Sequence, residues 1–373
     1  LADEPRVLSA LLETAAPQER EPLAEALLHA LNSHGAVGRA LEALVRAEVA
    51  SVGSEASLLF RGNSGVTKLL EVYARLTAGR YRRATLGPFV EKLVASRDAA
   101  CEVDPGRGVD ERTAERNWRT LLSHMSALWT VVVNAERDAP PAMRTLLAHV
   151  RAAVADAPFA ADEHAASKAV GGIYFLRFLC PALLHPHAHG VTKEPPTEAA
   201  ARTLTLLTKA LTNLANLVEF GKKEPYLEQF NEGFIRPNVP FMTALTTALS
   251  RERGSAGDDE GRLALPPCDL RFRLAQLLVF LKRKPDAVMD AARKGGFDAA
   301  AQAAYDAATA IEDYRGSTAP ELEVSASADD WAQVGAAAPA AAPAPAATPP
   351  KPRPSLRELG ERERSETLTS QKL

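Results

Sequence analysis

Apolar residues recur at intervals of three and four from Leu23 to Met289, without sustained alternation of apolar and polar positions. This pattern predicts helices and no sheet. The first helical stretch runs from Leu23 to Val49 and is broken by the turn residues "NSHGAVG" at 32–38. Further helices are predicted at 64–76, 113–133, 141–154, 198–220 and 269–289, with a turn at 104–108 and a surface loop at 251–262.

Composition narrows the class of protein without identifying it. The 373 residues are 46% hydrophobic and 24% charged, which suits a globular domain with a sizeable core. The net charge of −3 at pH 7 gives no indication of nucleic-acid binding, so any electrostatic argument has to be local. Cys101, Cys180 and Cys268 lie far apart, which excludes a full disulfide framework and metal-binding cysteine spacings and fits a reducing compartment.

The chain changes character beyond about Gly316. The stretch "GAAAPAAAPAPAATPPKPRPS" is rich in Ala and Pro and cannot build a core, so we expect a disordered C-terminal tail over 317–373, whose partner is unknown. We expect one domain over 1–292 and an extra helix within 293–316. No apolar run reaches the ~20 residues of a membrane span, which predicts that there is no transmembrane segment.

The most apolar stretch, "AVGGIYFLRFLCPALL" at 169–184, contains one charged residue, Arg177. Asp162 is expected to cap the helix that contains it, and Pro186 to end that helix. Burying an unpaired guanidinium is costly. Either Arg177 reaches the surface or caps a carbonyl, or a buried network holds it so that its five donors brace a nearby loop. Spacing alone does not separate these interpretations.

Four blocks, in order, resemble the RasGAP family, the GTPase-activating proteins of Ras-type small GTPases. "FLRFLCPALLHP" at 175–186 resembles the family signature Phe-Leu-Arg-x-x-x-Pro-Ala. The other three blocks are "SLLFRGNSGVTKLLEVY" at 57–73, "CEVDP" at 101–105 and "ARTLTLLTKALTNLANLVEFGKKEPYLEQFNEGFI" at 201–235. The resemblance spans about 41–280 and implies an all-α, elongated helical RasGAP-type domain.

The resemblance also implies an activity. A RasGAP accelerates GTP hydrolysis by a Ras-class GTPase in its GTP-bound form by inserting an arginine in trans. Such a protein has no active site, metal or cofactor of its own, because GTP and Mg²⁺ belong to the GTPase. It is expected in the cytoplasm, recruited to the inner membrane surface. The alternatives are a non-catalytic adaptor of the same fold and, more distantly, a helical scaffold unrelated to GTPases.

By resemblance, Arg61 is the arginine finger and Arg177 holds its loop by bonding the loop backbone. The residues around Arg61 agree with that role. The apolar "LLF" before it can anchor the loop, Gly62 and Gly65 permit tight turning, and Asn63 or Ser64 can cap the next helix. Taken without the resemblance, Arg61 is an ordinary surface arginine.

The remaining candidate residues are GTPase contacts implied by the resemblance: Phe175, Leu176, Asn216, Lys223, Thr212, Lys168, Glu71 and Arg83. Thr212 departs from the family, in which glutamine is common at that position. Periodicity predicts that Lys209, Thr212, Asn216, Glu219 and Lys223 share the polar face of one helix.

Basic residues gather around these blocks and suit the acidic surface of a GTPase: Lys68, Arg75, Arg80, Arg82, Arg83, Lys168, Lys222 and Lys223. Other chemistries are set aside. "RGNSGVTK" lacks the spacing of a phosphate-binding loop, so the chain is not expected to bind GTP itself. His185, His187 and His189 alternate in a loop, but a metal site there is a minor alternative.

Overall fold

A computed structural model of the chain describes residues 5–53, 59–60, 62–96, 99–254, 256–258, 260–283, 285–303 and 305–306. These residues contain the twelve α-helices bounded below, a further helical stretch at 298–303 and no strand, which confirms the predicted all-α class for the part described. The helices are α1 (Pro5–Thr14), α2 (Pro17–Ser33), α3 (Val37–Ser51), α4 (Gly65–Val94), α5 (Glu111–Asn134), α6 (Pro141–Ala155), α7 (Ala165–Gly171), α8 (Cys180–Leu184), α9 (Glu198–Asn216), α10 (Arg236–Leu249), α11 (Leu270–Arg283) and α12 (Pro285–Gly295). Two π-helical segments, Gly172–Leu179 and Asn231–Ile235, precede α8 and α10.

Periodicity located several helices to within a few residues. The break between α2 and α3 and the bounds of α5 and α6 are confirmed. Ser64 caps α4, because its Oγ accepts a hydrogen bond from the Thr67 N–H at 3.0 Å. α4 continues past the predicted end at Leu76 to Val94, with Pro88 inside it. α1 has no counterpart among the predicted helices.

Three predicted boundaries are wrong. α9 ends at Asn216 instead of 220, because Leu217 takes a left-handed backbone conformation with φ of 54° and its N–H closes on the carbonyl of Leu214. Two helices replace the one predicted at 269–289, since Pro285 begins α12. Asp162 does not cap α7, which begins after His164; its carboxylate accepts the His164 N–H at 2.9 Å.

The predicted extra helix and tail are only partly within the described residues. Residues 293–295 belong to α12, and residues 298–303 are helical. The tail predicted at 317–373 lies outside the described residues.

α4 is the central element of the fold. It packs against α1, α2, α3, α5, α6 and the first π-helical segment. Its buried residues include Tyr73, whose hydroxyl donates to the carbonyl of Ala142 at 3.0 Å. Arg144 of α6 is 1% exposed and is satisfied by the carbonyls of Ala139 and Ala248 at 3.1 and 2.9 Å. The carboxylate of Glu136 lies 2.9 Å from the same guanidinium, so this buried charge is neutralised.

One helical run has the length and composition of a membrane span. Ala165–Leu184 covers 20 residues with a mean hydropathy of 1.3, so the expectation that no apolar segment reaches that length is wrong for this run. However, 72% of the apolar window is buried inside the fold. The run is therefore accounted for as a core element.

The contact of α1 with the start of α4 depends on a glycine. A Cβ on Gly65 would lie 2.5 Å from Leu12 Cβ and 2.6 Å from the Leu12 carbonyl carbon. Because backbone has to move to relieve that overlap, we expect Gly65→Ala to lower the free energy of unfolding by about 1–3 kcal/mol in urea titrations. Gly79, also in α4, has no atom within 4 Å of its Cβ position. The control Gly79→Ala should instead be neutral or stabilising by up to about 1 kcal/mol; equal effects of the two substitutions would contradict this explanation.

Candidate functional site

The residue before Arg61 is held in an uncommon backbone conformation. Arg61 itself lies outside the described residues. Phe60 has a φ of 54°, a region that costs a bulky residue about 1–2 kcal/mol. Its side chain is completely buried, which anchors the segment in the core, whereas Gly62 and Asn63 are exposed. The chain thus passes from a buried anchor to the surface across position 61.

Arg177 bonds to the backbone on both sides of that position. Its Nε donates to the carbonyl of Phe60 at 3.0 Å, and its Nη2 donates to the carbonyl of Gly62 at 2.6 Å. Its Nη1 lies 2.9 Å from Glu71 Oε1 and 3.4 Å from Asn63 Oδ1. The side chain is 16% exposed. Of the two interpretations of the lone arginine, the structure supports the network that braces a loop, and the planar fork of the guanidinium explains how one side chain reaches two carbonyls.

A π-helical segment presents Arg177 to this backbone. Gly172–Leu179 interrupts the helical run between α7 and α8, and the Cys180 N–H returns to the carbonyl of Phe175, five residues back. A π turn widens the helix and shifts the direction of the side chains within it. Tyr174, Phe175 and Phe178 of the segment are buried, while Arg177 leaves the core at its margin.

Three N-terminal helices hold the residues that follow position 61. Arg20 Nη1 of α2 donates to the carbonyl of Asn63. Glu48 of α3 accepts a hydrogen bond from Ser64 Oγ at 3.1 Å, and Glu13 of α1 accepts the Gly65 N–H at 2.6 Å. Sequence reasoning missed these contacts because they join residues 16 to 52 positions apart and follow no local pattern.

Glu48 makes the stability of the folded protein depend on pH. Burial raises the pKa of Glu48 above its ordinary value of 4.5, and the hydrogen bond from Ser64 partly opposes that shift. The folded protein therefore binds this proton more tightly than the unfolded chain does. Stability is lost as the pH rises from the ordinary carboxyl value through the raised one.

We expect Glu48→Gln to remove that loss, because an amide does not titrate. The free energy of unfolding, measured between pH of about 4.5 and about 7.5, should fall less steeply in Glu48→Gln than in the unmodified chain. Glu115→Gln, on the exposed face of α5, is the matched control and should leave the slope unchanged. Parallel curves for Glu48→Gln and the unmodified chain would show that Glu48 does not titrate as its burial requires.

Of the two residues expected to precede Arg177 at the partner surface, only one is accessible. Phe175 is completely buried, with its ring 5.0 Å from that of Tyr174 and 6.4 Å from that of Trp129. The expectation that it faces a partner is wrong, because the π-helical turn directs it into the core. Leu176 is half-buried and packs at the edge of that core.

The early end of α9 divides the predicted polar stripe. Thr212 and Asn216 lie on the helix, where Asn216 Nδ2 donates to the carbonyl of Thr212 at 2.9 Å. Thr212 Oγ1 lies 3.6 Å from Cys180 Sγ, and burial raises the pKa of that thiol to about 12. Lys223 is exposed in the segment that follows the helix. The prediction that it shares a helical face with Asn216 is therefore wrong.

A glycine allows α7 to approach the end of α9 closely. A Cβ on Gly171 would lie 3.0 Å from the carbonyl oxygen of Ala215.

The last three candidate contacts are engaged within the chain. Glu71 is shared between Arg177 Nη1 at 2.9 Å and Lys68 Nζ at 2.7 Å, so it belongs to the network around position 61. Lys168 Nζ lies 3.2 Å from Asp162 Oδ2. Arg83 Nε donates to the carbonyl of Gly190 at 2.6 Å.

Comparison with known proteins finds a family match for part of the chain. The sequence model of the RasGAP family, described as GTPase-activator protein for Ras-like GTPase, matches residues 107–216. That range contains Arg177, whose contacts are given above. The chain contains a RasGAP domain.

Individual relatives of the RasGAP domain agree. Ras GTPase-activating protein gap-2 of Caenorhabditis elegans is 34% identical over 217 residues, which is 58% of this chain and 18% of that protein. Mouse RAS protein activator like-3 is 31% identical over 283 residues, 75% of this chain and 27% of that protein. Rat Ras GTPase-activating protein 1 is 35% identical over 188 residues, 50% of this chain and 18% of that protein. The chain thus spans between 18% and 27% of the length of these relatives.

The family match and the site overlap only in part. The matched residues include Lys168, Arg177, Thr212 and Asn216, but they exclude Arg61 and Glu71, which precede position 107. Arg177 connects the two regions. It lies within the match, and it donates hydrogen bonds to the carbonyls of Phe60 and Gly62, which lie outside it.

Proposed function

We propose that this RasGAP domain accelerates GTP hydrolysis by a Ras-class GTPase by donating Arg61 in trans. The observation that carries the proposal is the pair of hydrogen bonds from Arg177 to the carbonyls of residues 60 and 62. An arginine stabilises the phosphoryl-transfer transition state most strongly when it is held in position before the partner docks. Clamping the backbone on both sides of one residue meets that requirement.

The partner would be recognised in its GTP-bound form by the surface beside the finger loop. Leu176, Thr212 and Asn216 lie on adjoining elements and retain exposed surface, and Lys223 is exposed beyond them. Lys168 and Glu71 have partners within the chain, so we assign them to shaping this surface, whereas Arg83, bonded to the carbonyl of Gly190, lies farther along α4. RasGAP domains need no cofactor of their own, and GTP and Mg²⁺ would be contributed by the GTPase. Such a domain would act in the cytoplasm, at the inner membrane surface where these GTPases reside.

The experiment that tests the proposal is single-turnover hydrolysis of GTP on a panel of Ras-like and Rap-like GTPases. Acceleration of one or more members supports the proposal and identifies the target. GTP-dependent binding without acceleration would favour the non-catalytic adaptor. Neither binding nor acceleration across the panel would contradict both.

A further inference from the structure

A cleft lined by arginines lies along α4, away from the finger loop. Its volume is about 590 Å³, and its lining is Arg75, Gly79, Arg80, Arg82, Arg83, Ala84, Ala188 and His189. Arg82 lies 17 residues beyond Gly65, which places it about 26 Å along the axis of α4 from the start of the helix. None of these residues makes the hydrogen bonds that hold residues 60 and 62–65.

Arg82 is the most unusual residue of the cleft. It is 6% exposed, and its Nε has no hydrogen-bond partner within the described part of the chain. Its Nη2 donates to the carbonyl of His189 at 3.1 Å, and its guanidinium carbon lies 5.3 Å from the centroid of the Phe178 ring. Burial and the neighbouring charges of Arg75 and Arg83 lower the pKa of Arg82 to about 10, so the side chain is still charged at neutral pH.

The other charges do not neutralise it. Among the described residues, Arg80, Arg82 and Arg83 form no ion pair with a carboxylate, whereas Arg75 pairs with Glu21 at 3.3 Å and Glu25 at 2.9 Å. Burial lowers the pKa of His189, and the charge of Arg82 adds to that effect. Both effects favour the uncharged imidazole, and the charges of Glu21 and Glu71 oppose them more weakly. The wall of the cleft keeps a net positive charge with unused N–H donors.

We infer that this cleft binds a ligand that carries clustered phosphate groups, such as a multiply phosphorylated inositol. Guanidinium forks match phosphate oxygens in bidentate geometry. Four of them line one concavity here, and three of the four form no ion pair among the described residues. A ligand can approach the buried Arg82 only by entering the cleft. A compact polyanion fits such a concave site better than the flat acidic surface of a protein does. The same chemistry is offered by a soluble inositol phosphate and by a phosphoinositide headgroup, so the source of the ligand is left to the test.

The probe is inositol hexakisphosphate, titrated calorimetrically into the full chain at low and at physiological salt. We expect binding that weakens as salt rises. The double substitution Arg80→Gln with Arg83→Gln changes two exposed side chains, and it should raise Kd about tenfold or more. Arg82→Gln should do the same. Because Arg82 is buried, thermal unfolding of the Arg82→Gln protein is recorded first. If that variant does not fold, the test depends on the double substitution of the exposed Arg80 and Arg83.

A matched control has the same change in charge elsewhere. Arg112→Gln with Arg116→Gln alters two exposed arginines of α5 and should leave Kd within about twofold, because long-range charge alone contributes little at physiological salt. No binding by the unmodified chain, or an equal loss in the α5 control, would overturn the proposal. So would polyglutamate binding as tightly as the inositol phosphate, since that would indicate an acidic peptide.

Vesicles distinguish the two sources. Co-sedimentation with vesicles containing phosphatidylinositol 4,5-bisphosphate, but not with phosphatidylserine vesicles of equal charge, supports a lipid headgroup when it is lost in the Arg80 and Arg83 double variant. Binding of the soluble probe without vesicle binding supports a free phosphate ligand. Equal binding to both kinds of vesicle would indicate non-specific charge and overturn the proposal. None of these measurements includes a GTPase, so failure of this proposal and failure of the proposed GTPase activation are distinguishable.

Discussion

Arg61→Ala should abolish most of the acceleration of GTP hydrolysis while leaving GTP-dependent binding of the GTPase largely intact. The guanidinium is proposed to act on charge that develops in the transition state, so its loss should lower the rate more than the affinity. In Ras-type GTPases an arginine finger contributes about 10³–10⁵ in rate, or about 4–7 kcal/mol of barrier. The measurement is single-turnover hydrolysis with saturating domain, beside affinity for the GTPase loaded with a non-hydrolysable analogue.

Two further variants sharpen this result. Arg61→Lys should not rescue the rate, since an ammonium does not reproduce the planar fork. Arg119→Ala, an exposed arginine of α5 that pairs with Glu115, should behave like the unmodified chain. A loss of binding in Arg61→Ala comparable to its loss of rate would instead show that Arg61 only holds the two proteins together.

Arg177→Ala should lower the catalysed rate by about 10²-fold, less than Arg61→Ala, because it displaces a catalytic group without removing it. The carbonyls of Phe60 and Gly62 lose their donor, and Phe60 is left in its left-handed conformation without that support. We therefore also expect the free energy of unfolding to fall by about 1–3 kcal/mol. Stopped-flow hydrolysis and urea titration measure the two effects separately.

A double-mutant cycle separates positioning from general destabilisation. If Arg177 acts through Arg61, the Arg177→Ala substitution should have little further effect on rate in a chain that already carries Arg61→Ala. Its effect on the free energy of unfolding should persist in that background. Additive losses of rate would mean that Arg177 contacts the GTPase itself or holds the fold as a whole.

The sequence was most informative where structure is local. Periodicity placed α5 and α6 because their buried residues repeat with the helical turn, and the capping of α4 by Ser64 is a contact over three residues. It failed where a local exception ended the pattern. The left-handed Leu217 ends α9, although apolar residues continue at helical spacing beyond it. The π-helical turn buries Phe175, and the spacing of apolar residues does not predict such a turn.

The contacts that complete the site depend on tertiary structure. Glu13, Arg20 and Glu48 come from three helices and meet residues 63–65 only after the chain has folded. No local sequence pattern identifies them. A glutamate that accepts a backbone N–H cannot be distinguished, from the sequence alone, from a glutamate on a solvated helix face. The cleft around Arg82 is similar: the arginines are visible in "RYRR", but the absence of a carboxylate beside Arg82 in the described residues is a property of the fold.

By itself, then, the sequence determined the all-helical class of the described part, the resemblance to RasGAPs, and the choice of Arg61 and Arg177 as candidate residues, because residue type and short-range spacing carry that information. Only the tertiary structure decided that Arg177 joins the carbonyls of residues 60 and 62, that Phe175 faces inward, and that Arg82 is buried beside other cations. Those are outcomes of packing between elements as many as 117 residues apart, and no local pattern specifies them.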